Sequence, residues 1–300
     1  MLAAQLVDAQ VVLPGRAQVS LWWRHVPPLA PERLGVIGHF RAAPEADADD
    51  VRQVLESACA HLRKCGCTLA LGPMDGNTWR SYRFVTWSGA QPRFALEPAQ
   101  PEAWPQWWEA AGFAPHEEYY SALVEGLAAE DPRLAETWQR LRSLGVVIRD
   151  IDLGAFAQEL EHIFAISEVA FRENVLYTPL PRDAFAGMYQ GAAALIRPGL
   201  CLLALHQDQP VGFVFAIPDL EQARRGEAVD TLVVKTLAKL PGRAYAGLGK
   251  ILLERCQRSA HALGLTRAIH ALMHQKNPSR NLGGLAREIR RYTLFAKRLE

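Results

Sequence analysis

The order strand, helix, strand, asparagine-bearing loop occurs twice in this chain, and that repetition constrains the fold more than any single motif. In the first half, residues 33–40 read as a strand rich in β-branched and aromatic side chains, and residues 18–26 read as another before it. Asp47, Asp49 and Asp50 then mark a helix start. Val51, Val54, Leu55, Ala58 and Leu62 repeat at helical spacing until Gly66. A short strand at 68–71 and a turn-rich loop holding Asn77 follow. In the second half, a strand at 230–237 leads to a helix at 247–263, a strand at 268–273 and a loop holding Asn277. Each half closes on a further strand, 116–124 in the first and 288–299 in the second. The pattern predicts an internal duplication, with extra elements at the front of the second copy: a strand at 146–151 and helices at 156–171 and 181–195. Residues 200–206 and 211–217 read as two strands around a hairpin turn at Gln207–Pro210.

Length agrees with two units, since 300 residues exceed one ordinary domain. The predicted division is 1–128, a helical connector at 129–145, and 146–300. The eight tryptophans are unevenly shared: Trp22, Trp23, Trp79, Trp87, Trp104, Trp107, Trp108 and Trp138 all lie before residue 139. At helical spacing Trp104, Trp107 and Trp108 are read as core.

Charge narrows the function. Thirty-three basic and thirty-two acidic residues leave +1, with no basic stripe interleaved with aromatics, so no nucleic acid is expected as a partner. No apolar run approaches the roughly 20 residues of a membrane helix, and Met1–Gly15 lacks the basic start of a secretory signal. Five cysteines, an odd count, fit a reducing cytosol, so a cytoplasmic location is expected and no membrane partner. Cys59, His61, Cys65 and Cys67 are close in sequence, but they fall at a helix end and a strand start with no second ligand pair, so no metal is expected.

The chemistry concentrates in Pro241–Lys250, between a strand and an amphipathic helix. Gly247 and Gly249 let the backbone approach a ligand. The helix that follows presents unpaired N–H groups and a positive dipole end, which together seat a phosphate or pyrophosphate. Arg243 and Lys250 add charge. The spacing is neither a P-loop nor a dinucleotide fingerprint: Ala244 and Ile251 break the first, and Leu252 breaks the second.

A strand, Pro241, Arg243, Gly247-x-Gly249 opening a helix, strand 268–273 and Asn277 together resemble the acetyl-CoA-binding core of the GNAT superfamily of acyl-CoA N-acyltransferases. Ala244 stands where that signature has Arg or Gln. The first half is similar by element order and by Trp107–Phe113, which looks like the family's helix ending in Gly-Phe. Its own loop, Ala43–Asp47, is acidic and has no glycine, so this copy is expected to bind no CoA. The resemblance implies an α/β (α+β) fold of two GNAT-like domains, each a mixed, mostly antiparallel sheet flanked by helices, the first degenerate. It implies that the backbone of Leu237, Ala238 and Lys239 pairs with pantetheine amides. Gly247, Leu248, Gly249 and Lys250, with Arg243, would hold the pyrophosphate. Asn277 and Ser279 would lie near the pantetheine arm or the adenosine.

The activity so implied is transfer of an acyl group from acetyl-CoA, or another acyl-CoA, to a small-molecule or peptide amine. A lysine-like amine of pKa about 10.4 costs roughly 4.6 kcal/mol to deprotonate at neutral pH, so a base is needed. Asp230 at a strand start, Tyr292 in the last strand and His274 at the end of strand 268–273 are the candidates for base and acid. The tyrosine usual after the family's asparagine is absent from Ser279–Gly284. Two readings therefore stay open: an N-acetyltransferase, or an inactive CoA-binding or protein-interaction module. The acceptor and the oligomeric state are not legible.

Overall fold

A computed structural model of the chain describes residues 6–127, 132–276 and 286–300. Helix α1 (Ala48–Lys64) starts at Asp47, whose carboxylate accepts the N–H groups of Asp49 and Asp50, while Asp50 returns a carboxylate to the Asp47 N–H. Val51, Val54, Leu55, Ala58 and Leu62 are buried. Gly66, at φ +82°, turns the chain out of the helix. The other helices are α2 (Ala103–Ala110), α3 (Arg133–Ser143), α4 (Phe156–Ala170), α5 (Arg182–Tyr189), α6 (Leu220–Arg224) and α7 (Leu248–Ala262).

Twelve strands are described: β1 (Ala9–Leu13), β2 (Ala17–Trp22), β3 (Leu34–Ala42), β4 (Leu69–Gly72), β5 (Phe84–Ser88), β6 (Ala114–Glu125), β7 (Val146–Asp150), β8 (Cys201–His206), β9 (Gln209–Pro218), β10 (Thr231–Lys239), β11 (Arg267–His274) and β12 (Arg287–Arg298). They form one continuous sheet in the order β1-β2-β3-β4-β12-β6-β11-β10-β9-β8-β7, with β5 added against β12. The fold is mixed α/β, and its sheet is mostly antiparallel. Two pairs are parallel, β3 with β4 and β10 with β11, and they hold matching places in the two halves.

The separate sheets expected of two domains are here a shared one. Strand β12 lies between β4 and β6, and β6 lies between β12 and β11, so each half's closing strand sits next to the other half's parallel pair. The order reads nearly the same from both ends about the β12–β6 pair, as a duplicated chain with reciprocally exchanged last strands would give.

α1 covers one face of the first half through Val19, Leu21, Ile37 and Ala70, and α7 covers one face of the second through Val214, Ala216, Leu232, Val234 and Ala268. Alternation along the strands sends the other residues to the opposite face. There each half is covered by a loop of its neighbour. Phe94 packs on Ile217, Val233 and Ile269, and Leu176 packs on Trp22, Leu34 and Leu71.

Several local expectations change. Residues 181–195 are not one helix: α5 ends at Tyr189 and a 3₁₀ stretch continues to Leu195. α4 buries Glu159 beside Leu160, because Arg149 reaches its carboxylate at 2.8 Å. Strands β1 and β5 and helix α6 are additions to the elements read from sequence. The hairpin turn forms at Gln207 and Asp208, both at positive φ (51° and 60°), as a tight two-residue connection requires.

Candidate functional site

β10 and β11 pair only from Thr231–Val234 against Arg267–His270. A register shift between Val234 and Thr236 then bends β10, and Lys235–Lys239 continues beside β9 alone. Among the described residues the edge of Lys235–Lys239 that faces β11 has no strand partner. Leu237, Ala238 and Lys239, expected to meet pantetheine amides, lie on this open edge.

From Lys239 the chain runs through Arg243 to α7. Gly247 is its N-cap at φ +82°, and no side chain caps the first turn. Leu248 points into the core, whereas Arg243 and Lys250 are exposed. A Cβ placed on Gly249 would meet nothing closer than Leu237 at 3.8 Å, so the protein's own packing leaves that position open. This is the space a pyrophosphate would need against uncapped N–H groups, and the residues fit that group. Gly247 differs. A Cβ there would lie 2.5 Å from the Thr137 methyl, because α3 packs across it. Arg140 of α3 donates to the carbonyl oxygens of Ala244 (3.0 Å) and Ala246. Arg140 thus fixes the glycine loop and adds positive charge beside it. Its place in a polar connector gave no signal in the sequence.

The expected proton-transfer residues are spread out. Asp230 precedes the paired part of β10, four positions before Val234, roughly 13 Å at 3.3 Å per residue. Its carboxylate accepts from Arg267, Gln222 and Thr231, each at 2.7 Å. Burial pushes its pKa up, but those bonds outweigh it and hold it down at about 2. A cavity of about 50 Å³ beside it, lined by Gln222, Thr231 and Arg267, has room for a water molecule and not for a cofactor. Asp230 is therefore not brought to the opening.

Tyr292 and His274 do come together, on either side of Tyr119 of β6, on the face away from α1 and α7. Tyr292 is fully buried. It donates to Glu97 Oε1 at 3.1 Å and lies 3.0 Å from Ser121 Oγ. Burial, and next the Glu97 charge, raise its pKa well above that of an ordinary phenol. A thiol titrates near 8.5, so Tyr292 is a weaker acid than the thiol it would protonate. His274 pairs with Glu117 Oε2 at 2.7 Å through Nε2, while its Nδ1 accepts the Lys276 N–H at 3.1 Å. That arrangement fits the neutral ring with its proton on Nε2. Asn277 and Ser279 lie outside the described residues.

Lys235, which sequence reasoning missed, sits on the bulge itself. Burial, and next the charge of Arg83, lower its pKa to about 8. Neither cause is visible in the sequence around Lys235.

The first half carries the same parallel pair with its opening filled. Leu34–Val36 pair with Leu69–Leu71; beyond them the Met74 N–H reaches Ile37 O at 2.9 Å and Asp75 Oδ1 accepts the His39 N–H. Trp108 is fully buried against Phe40, Phe84 and Phe113.

Neither family models nor curated proteins match the sequence. Solved structures do. A fungal multi-domain GH3 β-N-acetylglucosaminidase containing a GCN5-related glucosamine N-acetyltransferase region aligns over 94% of this chain, at 12% identity and a TM-score of 0.54; the chain spans 31% of that protein's length. A tandem GNAT protein of the clavulanic acid biosynthesis pathway aligns over 98% of this chain and 85% of its own, at 12% identity and a TM-score of 0.52. A GCN5-related N-acetyltransferase from Sphaerobacter thermophilus aligns over 95% and 77%, at 13% identity and a TM-score of 0.50. The fold is that of tandem GNAT N-acetyltransferases. No helix among the described residues is long and apolar enough to cross a membrane.

Proposed function

We propose that this tandem GNAT fold is an N-acyltransferase that binds acetyl-CoA, or another acyl-CoA, in its second half and passes the acyl group to an amine. One observation carries the reading. The uncapped start of α7, with open space over Gly249, lies beside the unpartnered edge of Lys235–Lys239. A pyrophosphate suits the first, and the amides of a pantetheine arm suit the second. The N–H groups after the bulge would polarise the thioester carbonyl.

In the proposed reaction the amine nitrogen attacks the thioester carbonyl, a C–N bond forms and the C–S bond breaks. The amine proton passes to the Glu117 carboxylate, which His274 orients through Nε2. The departing thiolate takes a proton from Lys235, whose pKa of about 8 is close to that of a thiol. Asp230 remains a structural ion-pair partner, and Tyr292 a hydrogen-bonded core group. The acceptor is an amine, as glucosamine is for the fungal neighbour.

Acetyl-CoA raises the melting temperature of the wild type under this reading, and thiol is released when a suitable amine is added. Gly249→Asp places a carboxylate where the pyrophosphate sits. It weakens acetyl-CoA binding by at least about tenfold, while the helix start tolerates or welcomes the charge. Asp47→Ala, which uncaps α1, costs about 1 kcal/mol of stability and leaves acetyl-CoA affinity unchanged. Absence of stabilisation by any acyl-CoA would sink the proposal. Stabilisation without thiol release across amines would favour a non-catalytic CoA-binding module.

A further inference from the structure

Arg83 lies between the two halves, on the sheet face away from α1 and α7, and is 7% exposed. Its guanidinium carbon stands 4.1 Å from the Tyr82 ring centre, 4.0 Å from that of Tyr119 and 5.6 Å from that of Tyr292. Nε and Nη1 are buried and have no hydrogen-bond partner among the described residues. Nearby carboxylates are committed elsewhere. Glu97 takes Arg290 at 2.8 Å and Tyr292 at 3.1 Å, and Glu117 takes His274. Lys235 shares the region: its Nζ donates to Leu96 O at 3.4 Å, and the charge of Arg83 acts on it. Buried guanidinium N–H groups are almost always satisfied, so this arrangement asks for a ligand.

We propose that Arg83 anchors a carboxylate of the acyl acceptor, so that the substrate is an amine carrying a carboxylate, as an amino acid does. The inference rests on the acyltransferase reading for the word acceptor, and on Arg83 itself for the carboxylate. Arginine suits this role because its planar donors match a carboxylate, and the tyrosine rings hold the guanidinium plane. Lys235 links the anchor to the opening between β10 and β11. The bound carboxylate therefore lies on the sheet face away from α7, while the phosphate seat lies at the start of α7. Tyr82, half-buried on the turn after Asn77, is the outer flank that must move to admit it.

The test is thermal stabilisation by L-glutamate, L-lysine and L-phenylalanine, each beside its C-terminal amide, at constant ionic strength and concentrations on the order of tens of millimolar. At least one free acid raises the melting temperature by about 3 °C near ten times its dissociation constant, and its amide does not. Arg83→Met abolishes that rise and keeps the acetyl-CoA response. Without ligand, Arg83→Met melts no lower than wild type, because it removes an uncompensated buried charge; a purely structural arginine would show a lower value. Arg83→Lys keeps the charge and a weakened response, which controls for misfolding of the first variant. Acids that act no better than amides, or an acid response that survives Arg83→Met, overturn the inference. Loss of the acetyl-CoA response alone overturns the acyltransferase reading and leaves the carboxylate site standing.

Discussion

The two openings at the ends of the parallel pairs differ in what completes them. In the first half the strand edge is met by Met74 and Asp75, the helix start by Asp47, and the space alongside by Trp108 and its aromatic neighbours. In the second half, among the described residues, no strand meets that edge and no side chain caps the helix start. One architecture is thus closed in the first half and, under the proposed function, open to an acyl-CoA in the second, and a few loop residues make the difference. A helix N-terminus capped by its own carboxylate has already used the donors that an anion would take.

The contrast breaks most clearly at Trp108. Replacing this fully buried ring by alanine costs roughly 3–5 kcal/mol, seen as a large drop in melting temperature. A stable Trp108→Ala protein that had lost only thiol release would instead give the first half a direct chemical role. The next test is a matched pair of glycines. A Cβ on Gly38 would sit 2.0 Å from Met74 O, so Gly38→Ala is expected to destabilise by about 1–3 kcal/mol. Gly249→Ala meets only an ordinary contact and is expected to add about 0.5 kcal/mol through helix propensity. If Gly249→Ala destabilised as Gly38→Ala does, the second opening would be filled too. The smallest effect concerns Asp230. Its folded pKa of about 2 lies below the ordinary value of 3.8, so its contribution is present above pH 4 and is lost as pH falls towards 2. Asp230→Asn is then less stable than wild type near neutrality, and denaturant unfolding shows the difference closing across that window. A gap that stayed constant down to pH 2 would assign the effect to packing.

Much of this was legible from particular residues. Asp47 and Gly66 mark the ends of α1, and Gly247 the start of α7, because capping and positive φ are local demands. The hairpin at Gln207 and the second half's strands followed from apolar, β-branched runs bounded by turn residues. The exchange of β6 and β12 was not legible, because residue patterns state which face of a strand is apolar and not which strand lies beside it. Strand β5, five residues with only Phe84 buried, lacks the alternation that would mark it. At the site, Gly249 and the open strand edge could be anticipated. Arg83, Lys235 and Arg140 could not, since the first two gain their meaning where the halves meet and Arg140 from the connector's contact with the glycine loop. Asp230 misled because a carboxylate at a strand start looks the same whether it is free or held by Arg267.

The exchanged strands bear on how the chain is made. Strand β4 and its neighbour β12 are separated by roughly 200 residues of sequence, and Arg63 bonds to the Glu300 carbonyl across 237 positions. During synthesis the first half emerges with one edge of β4 bare and must wait for the whole second half before that edge is covered. Such long-range closure slows folding and lengthens the time that a sticky edge is exposed. The same closure means that neither copy can be cut free and keep its sheet, so gene fission would cost both halves their centre.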